Sequence, residues 1–332
     1  MVDFNQLKKI LLENNSFLIT THVNPDADAI GSEVALYNIL KMKGKRIRVV
    51  NHSITPYNLL FLDKDNVIEH YSEEKHENIF EDVDVLVAID FNRSNRLIRM
   101  AKGFLGSKKL KICIDHHQDY ENIFNYVFVD TEYSATGQIL YDFIEHTGII
   151  ELNYNIAEPI YAAIMTDTGS FRFERTTPVI HRISARLLEA GVVPGEVYDR
   201  IYDQSKFSKI KLFGRAVNSM KIYGEDKTVS YMHLTREDFD ETGAIESDTD
   251  GFVNVSLSVE KVKLGILFLE LKEGFKVSFR SKGVIPVNKL AAEFGGGGHI
   301  NAAGLRIRDG RIDEFITKIL NRSLDYVKQF GK

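Results

Sequence analysis

The sequence contains a single cysteine, Cys113, in 332 residues. An internal disulfide is therefore impossible and a cysteine-rich zinc site is excluded, a usage that suits a reducing cytoplasm. No window reaches the ~20 consecutive apolar residues that a membrane-spanning helix needs. The N-terminus MVDFNQLKKILLENNSF is amphipathic but lacks the continuous apolar core of a signal peptide, so neither insertion nor export is expected. Positive charge is not in excess either: 42 Lys and Arg face 47 Asp and Glu, a formal net charge of -5. That removes the whole-chain cationic field on which tight binding to long duplex DNA depends, while a short anionic ligand in a local site stays compatible. Internal repeats and low-complexity segments are absent as well. What remains, at 44% hydrophobic and 27% charged residues, has the balance of an ordinary folded protein, and its length favours two domains.

The first half alternates short apolar runs with helical patterns, which predicts an α/β fold with a mainly parallel sheet flanked by helices. Strands are expected at Phe17 to Thr21, Ile47 to Asn51, Val83 to Asp90 and Leu110 to Asp115. Helices are expected from Ile30 to Lys43, stopped by Gly44, from Ala135 to Thr147, from Ile156 to Met165, and from Pro178 to Gly191. His22, Asp90 and Asp115 then fall just past strand ends, where open α/β sheets place their binding crevice. Residues 194–220 read as a semi-rigid helical connector between a catalytic domain, 1–193, and a smaller α+β domain, 221–332. The latter should hold strands at Thr228 to Leu234, Leu264 to Leu271, Phe275 to Ser281 and Leu305 to Arg308, with a helix from Val287 to Glu293 ahead of Gly295 to His299.

Four segments carry the candidate chemistry. His22, Asp26 and Asp28 crowd one imidazole and two carboxylates into a strand-to-helix loop; taken alone, this reads equally as a divalent-metal loop or as a polar turn with a helix cap. Asp90 tips an apolar strand, a position as common for a loop-starting Asp as for a ligand. In Asp115-His116-His117 the two adjacent rings point in different directions, so one can ligate while the other faces substrate, and Asp115 can orient an imidazole. Asp167 adds a carboxylate at a helix-to-loop junction. The conjunction of four such sites ending successive α/β elements supports one crevice more strongly than any single motif does. Of the ten histidines, four lie in these segments and the Gly-rich loop, while the rest, including His52, His70 and His146, are scattered singly and read as structural or surface residues. Cys113, inside its strand, reads as a buried apolar residue.

THVNPDADAIGS, VAID, CIDHH and MTDTGSF together resemble the four motifs of the DHH phosphoesterase family. Val277 to Ser281 and FGGGGHINAAG are similar to its associated C-terminal domain, so the resemblance spans roughly residues 15–310. Within the family, length and motif spelling are most similar to stand-alone nanoRNase/pAp phosphatases and dinucleotide phosphodiesterases. The resemblance implies two Mn2+ ions, with Mg2+, Co2+ or zinc as substitutes. His22 and Asp26 would hold one ion, Asp28, His116 and Asp167 the other, and Asp90 both, with a water activated between them for in-line attack on phosphorus. It further implies that His117 contacts the phosphate or assists the leaving oxygen and that Asp115 supports from behind. Arg280, Gly296, Gly297, Gly298 and His299 would bind substrate, and a homodimer fits the resemblance. All metal-ligand positions are filled.

The implied substrates are short RNA oligomers and linear dinucleotides such as pApA, with pAp and cyclic di-AMP as further candidates, giving nucleoside 5'-monophosphates. A single-strand-specific 5' exonuclease of the RecJ type is the nearest alternative, although no extended basic groove with stacking aromatics is visible. A non-catalytic nucleotide sensor is the alternative from another class, and it would be marked by loss of a bridging carboxylate.

Overall fold

In the computed structural model, which describes residues 2–331, the chain forms two compact units, residues up to Gln204 and residues from Ser205. The first unit opens with α1 (Phe4–Glu13), β1 (Ser16–Thr20), α2 (Ala27–Met42), β2 (Arg46–Asn51), β3 (Ile68–His70) and β4 (Val85–Ile89). It continues with α3 (Ala101–Gly106), β5 (Leu110–Asp115), β6 (Tyr126–Val129), α4 (Thr136–Thr147), α5 (Tyr154–Asp167), α6 (Pro178–Glu189) and α7 (Pro194–Tyr202). Its six strands are all parallel, in the order β3-β2-β1-β4-β5-β6.

Alternation along the strands decides the two faces. Phe17, Ile19, Val85 and Val87 enter the core shared with α1, α2, α4 and α5, whereas Leu18, Leu86 and Ala88 enter a second core with Phe104 of α3. Burial on both faces explains why these strands read as continuous apolar runs. The chain leaves β1 towards β2 and β3 and returns to β4 on the other side of β1, so the topological switch lies between β1 and β4. Loops at their C-terminal ends diverge there and open a crevice.

Two sequence features let α5 press on α2. At Gly31 a Cβ would lie 2.4 Å from the carbonyl oxygen of Pro159, so only glycine permits the approach. Pro159 inside α5 has no N–H to give Asn155, and Asn38 of α2 donates to that carbonyl instead, at 2.9 Å.

The second unit comprises α8 (Phe207–Asn218), β7 (Lys221–Tyr223), β8 (Val229–Leu234), α9 (Arg236–Thr242), β9 (Leu264–Glu270) and β10 (Phe275–Ser281). After these come α10 (Val287–Ala292), β11 (Gly297–His299), β12 (Ala302–Ile307) and α11 (Ile312–Phe330). The sheet order is β11-β12-β10-β9-β8-β7, with only β8 and β9 parallel. Phe275, Val277 and Phe279 point into the core under α10 and α11, leaving Lys276, Ser278 and Arg280 on the other face. Residues 194–220, a connector by sequence, form one helix in each unit. The 19-residue α11 is amphipathic, with Ile312, Ile319, Leu320 and Val327 buried, and the sequence reading did not anticipate it. Among the described residues no helix is long and apolar enough to cross a membrane.

Candidate metal centre

β1 delivers His22 to the crevice. Thr21 anchors the strand end through its N–H to Asn51 Oδ1 (3.1 Å) and its hydroxyl to the Ile89 carbonyl (2.8 Å). His22 Nδ1 lies 2.9 Å from the Val23 carbonyl, which turns Nε2 inward, 3.5 Å from Asp90 Oδ2 and 4.0 Å from Asp26 Oδ1. Burial lowers the tendency of His22 to protonate, against the opposing pull of Asp26. A neutral imidazole is the form that ligates a metal. Asp26 is the helix cap its sequence allowed, its Oδ1 accepting from Asp28 and Ala29 N–H, both at 3.1 Å, while the carboxylate also faces His22.

Asp28 in the first turn of α2 is buried and meets the N-terminus of α4. Thr136 N–H donates to its Oδ2 at 2.7 Å, and Gly137 N–H and the Ser32 hydroxyl donate to Oδ1 at 2.9 and 3.0 Å. Helix N-termini favour negative charge, so α4 stabilises a carboxylate here. The Thr136 hydroxyl also donates to Asp90 Oδ1 at 2.8 Å. Thr136 and Gly137 are thus the functional positions that sequence reasoning missed. Their only signal was a small, polar helix start after β6, which says nothing about what docks on it.

Asp90 follows β4 in a left-handed conformation (φ 61°), uncommon for a residue with a Cβ and costing about 1–3 kcal/mol. Its two oxygens look opposite ways. Oδ2 faces His22, and Oδ1 lies 3.6 Å from His116 Nε2. Burial, then the proximity of Asp28, Asp26 and Asp167, raises its pKa well above the carboxylate range.

At the end of β5, Asp115 Oδ1 accepts from the N–H groups of His116 (2.8 Å) and His117 (3.2 Å) and lies 2.7 Å from His117 Nδ1. The two rings then diverge, with an interplanar angle of 62°. His116 turns inward: its Nε2 is 3.6 Å from Asp28 Oδ2 and 3.3 Å from Asp167 Oδ2. His117 is half exposed, and although burial opposes it, the Asp115 carboxylate raises its pKa. Asp167, the last residue of α5, also sits well above the carboxylate range because of burial and then Asp28 and Asp26.

Ligand atoms within 4.8 Å of one another therefore form overlapping sets: His22, Asp26 and Asp90; Asp28, His116 and Asp167; and Asp90 with Asp115, His116 and His117. His116 Nε2 is buried among carboxylates without a hydrogen-bond partner. Like charges packed this closely repel unless protons or cations intervene, and the mixed oxygen and imidazole donors fit divalent metal ions.

In the second unit, Ala302 of β12 pairs with Arg280 on one side and His299 on the other, so both side chains share one sheet face, ~10 Å apart across two strand spacings. Arg280 is half-buried, with Nη1 donating to the carbonyl of Phe279 at 3.0 Å. A Cβ on Gly296 would lie 2.3 Å from the Gly304 carbonyl, and on Gly298 (φ 144°) 2.5 Å from that of Ala302, whereas Gly297 has open space. Two of the glycines thus serve the close approach of β11 to β12.

Residues 16–164 match the DHH family N-terminal domain and residues 227–325 the DHHA1 domain. The chain belongs to the DHH phosphoesterase family and is a hydrolase acting on phosphoric esters. It is 34% identical to the bifunctional oligoribonuclease and PAP phosphatase NrnA of Thermus thermophilus over 94% of this chain and 90% of that one. It is 26% identical to the Bacillus subtilis protein of the same name over 88% and 90%. Among solved structures, an exopolyphosphatase-related protein from Bacteroides fragilis superposes with a TM-score of 0.93 at 31% identity, covering 98% of this chain and 96% of that one.

Proposed function

We propose that this chain is a manganese-dependent phosphodiesterase that degrades short oligoribonucleotides and linear dinucleotides such as pApA to nucleoside 5'-monophosphates, with pAp as a phosphatase substrate and cyclic di-AMP as a further candidate. The observation that carries the reading is the pair of donor sets meeting at Asp90, whose Oδ2 faces His22 and whose Oδ1 faces His116. The relatives named as oligoribonuclease and PAP phosphatase support the substrate class.

His22, Asp26 and Asp90 would hold one ion, and Asp28, His116 and Asp167 with Asp90 the other. Two divalent ions bound this way would supply Lewis-acid stabilisation of the phosphoryl oxygens and an acidified water for in-line attack. The chain's own groups prepare for this. The N-terminus of α4 fixes Asp28, and Thr136 bonds Asp90 from the same turn, so the donors are oriented before any ligand arrives. Asp115 holds His117 at Nδ1, leaving Nε2 to carry a proton towards the leaving oxygen. Arg280, Gly296, Gly297, Gly298 and His299 are assigned to substrate recognition, where a guanidinium and backbone N–H groups suit phosphate.

The test is a product-resolved assay of the Mn2+-loaded protein on pAp, pApA, cyclic di-AMP, RNA oligomers of increasing length and pyrophosphate. Mononucleotide release should be fastest for the shortest linear substrates. Preference for pyrophosphate or for long strands would overturn the proposal, and tight dinucleotide binding without turnover would make the protein a sensor instead.

A further inference from the structure

The segment that follows Asp167 takes no part in the chemistry set out so far, yet its backbone is strained. Gly169, Ser170 and Phe171 are left-handed one after another, with φ of 57°, 57° and 64°. That conformation is unfavourable for a residue with a Cβ, so the surrounding structure must impose the turn. Ser170 N–H donates to the Met165 carbonyl and Arg172 Nε to the Gly169 carbonyl, both at 2.7 Å, while the Phe171 ring packs on Tyr161 and stacks on His181. Residues 172–176 leave this turn and carry Arg175 to the loop between β6 and α4, where its Nη1 donates to the Tyr133 carbonyl at 2.8 Å.

That carbonyl faces a second donor, because His116 Nδ1 lies 3.4 Å from it. A carbonyl oxygen has two lone pairs and can take both N–H groups. The bond from Arg175 is short and charge-assisted, whereas the contact with His116 is at the long end of the hydrogen-bond range and would be lost on a small rotation of the Tyr133 peptide. Arg175 therefore fixes the acceptor on which His116 depends. Burial disfavours protonation of His116, so the ring carries one N–H. With the Tyr133 carbonyl held against Nδ1, that N–H is placed there, and Nε2, which has no hydrogen-bond partner, is left bare among the carboxylates. Arg175 is exposed and forms no ion pair among the described residues, in contrast to Arg48, Arg215 and Arg322. Its charge is nonetheless felt at Asp167, where it opposes the effect of burial and of Asp28 and Asp26.

We propose that Arg175 is a positioning residue for the His116 and Asp167 half of the metal centre: it holds the Tyr133 carbonyl against the outer nitrogen of His116 and so keeps the inner nitrogen free to ligate. The inference rests on the two-ion reading above and names a device that serves one of its two donor sets. His22 has its own, the carbonyl of the neighbouring Val23 at 2.9 Å from Nδ1, which needs no distant side chain. A ligating imidazole is ordinarily oriented through its second nitrogen, and loss of that support weakens metal binding about 10- to 100-fold.

The test compares wild type, Arg175→Ala and Arg175→Lys. In metal-free protein labelled with 15N-histidine, long-range 1H–15N correlation reads the tautomer of His116, assigned by the signal lost in His116→Gln. Wild type should show the proton on Nδ1. Arg175→Ala should shift it towards Nε2, the nitrogen that carries it in a free neutral histidine side chain in water, and Arg175→Lys, whose ammonium donates to the same carbonyl, should return it. An unchanged tautomer in Arg175→Ala overturns the proposal whatever the metal does. Mn2+ titration followed by electron paramagnetic resonance gives a second readout, in which Arg175→Ala should weaken one of two sites about tenfold and leave the other unaltered. Tighter Mn2+ binding in Arg175→Ala would also overturn it, since the guanidinium would then act only by repelling the ion. If wild type bound no Mn2+ the two-ion reading would fall, whereas the tautomer measurement would still decide for or against Arg175.

Discussion

The two units differ in how deeply they bury their carboxylates. In the first, Asp28, Glu33, Asp90 and Asp115 are each 2% exposed or less, and none is paired with a Lys or Arg. In the second, Arg215 pairs with Asp238 and Glu241, Arg306 with Glu246, and Arg322 with Glu293 and Asp325, all near the surface. Buried uncompensated carboxylates cost stability, whereas surface pairs contribute little in either direction. A fold keeps the first arrangement when the site has work that requires it. The parallel sheet makes such crowding possible because every strand ends at the same edge, while the mixed sheet offers a face, on which Arg280 and His299 are spread apart.

Replacing Asp90 is the strongest attack on this contrast. Asp90→Ala should lower dinucleotide turnover by at least ~10³-fold, about 4 kcal/mol of transition-state stabilisation, because it removes the carboxylate common to both donor sets. Turnover within tenfold of wild type would show that the buried acids are not the chemical centre.

Glu33 sharpens the same contrast through stability. Full burial, weakly countered by Asn51, pushes its pKa up to about 8. Between about pH 4.5 and 8 the folded chain retains a proton that the unfolded chain releases, so stability falls as pH rises through that window and levels off above it. Glu33→Gln should remove this dependence, gaining ~4 kcal/mol at pH 8 and little at pH 4.5. Denaturant unfolding at the two pH values measures it, and equal gains at both would refute the burial cost.

Packing behind the crevice gives a smaller effect. Gly31→Ala places a Cβ against the Pro159 carbonyl and should cost ~2 kcal/mol, lowering the melting temperature by roughly 5 °C. A melting temperature equal to that of wild type would mean that α2 and α5 separate freely.

On the recognition face, Arg280→Gln should raise KM for pApA about tenfold, ~1.4 kcal/mol, while kcat changes less than twofold. An equal fall in kcat would dissolve the division between chemistry and recognition. Arg322→Ala, which breaks a network at the solvent-facing surface, should leave the melting temperature unchanged in a thermal scan.

Much of the site could be read along the chain because its parts are local. The His22 to Asp28 loop and the Asp115 to His117 triplet each place several donors within a few residues, and the apolar runs before them announce the strands. The rest depended on positions far apart in sequence. Thr136 reaches Asp90 and Asp28 from a helix start with no distinctive spelling. Strand β3 and strand β11 are three residues long, too short for any periodicity to emerge. His52 and His70, which look isolated in the sequence, become neighbours because β2 and β3 pair in register.

The alternation of apolar runs with helical patterns and the four motifs determined by themselves the α/β class, the donor types and the family of chemistry, since residue type and local spacing suffice for those. Tertiary structure alone decided that the donors share one crevice, that Asp90 faces two sets at once through a left-handed backbone, and that the N-terminus of α4 holds Asp28. Those relations arise from strand order and helix packing, which bring together atoms separated by up to 145 residues, from His22 to Asp167.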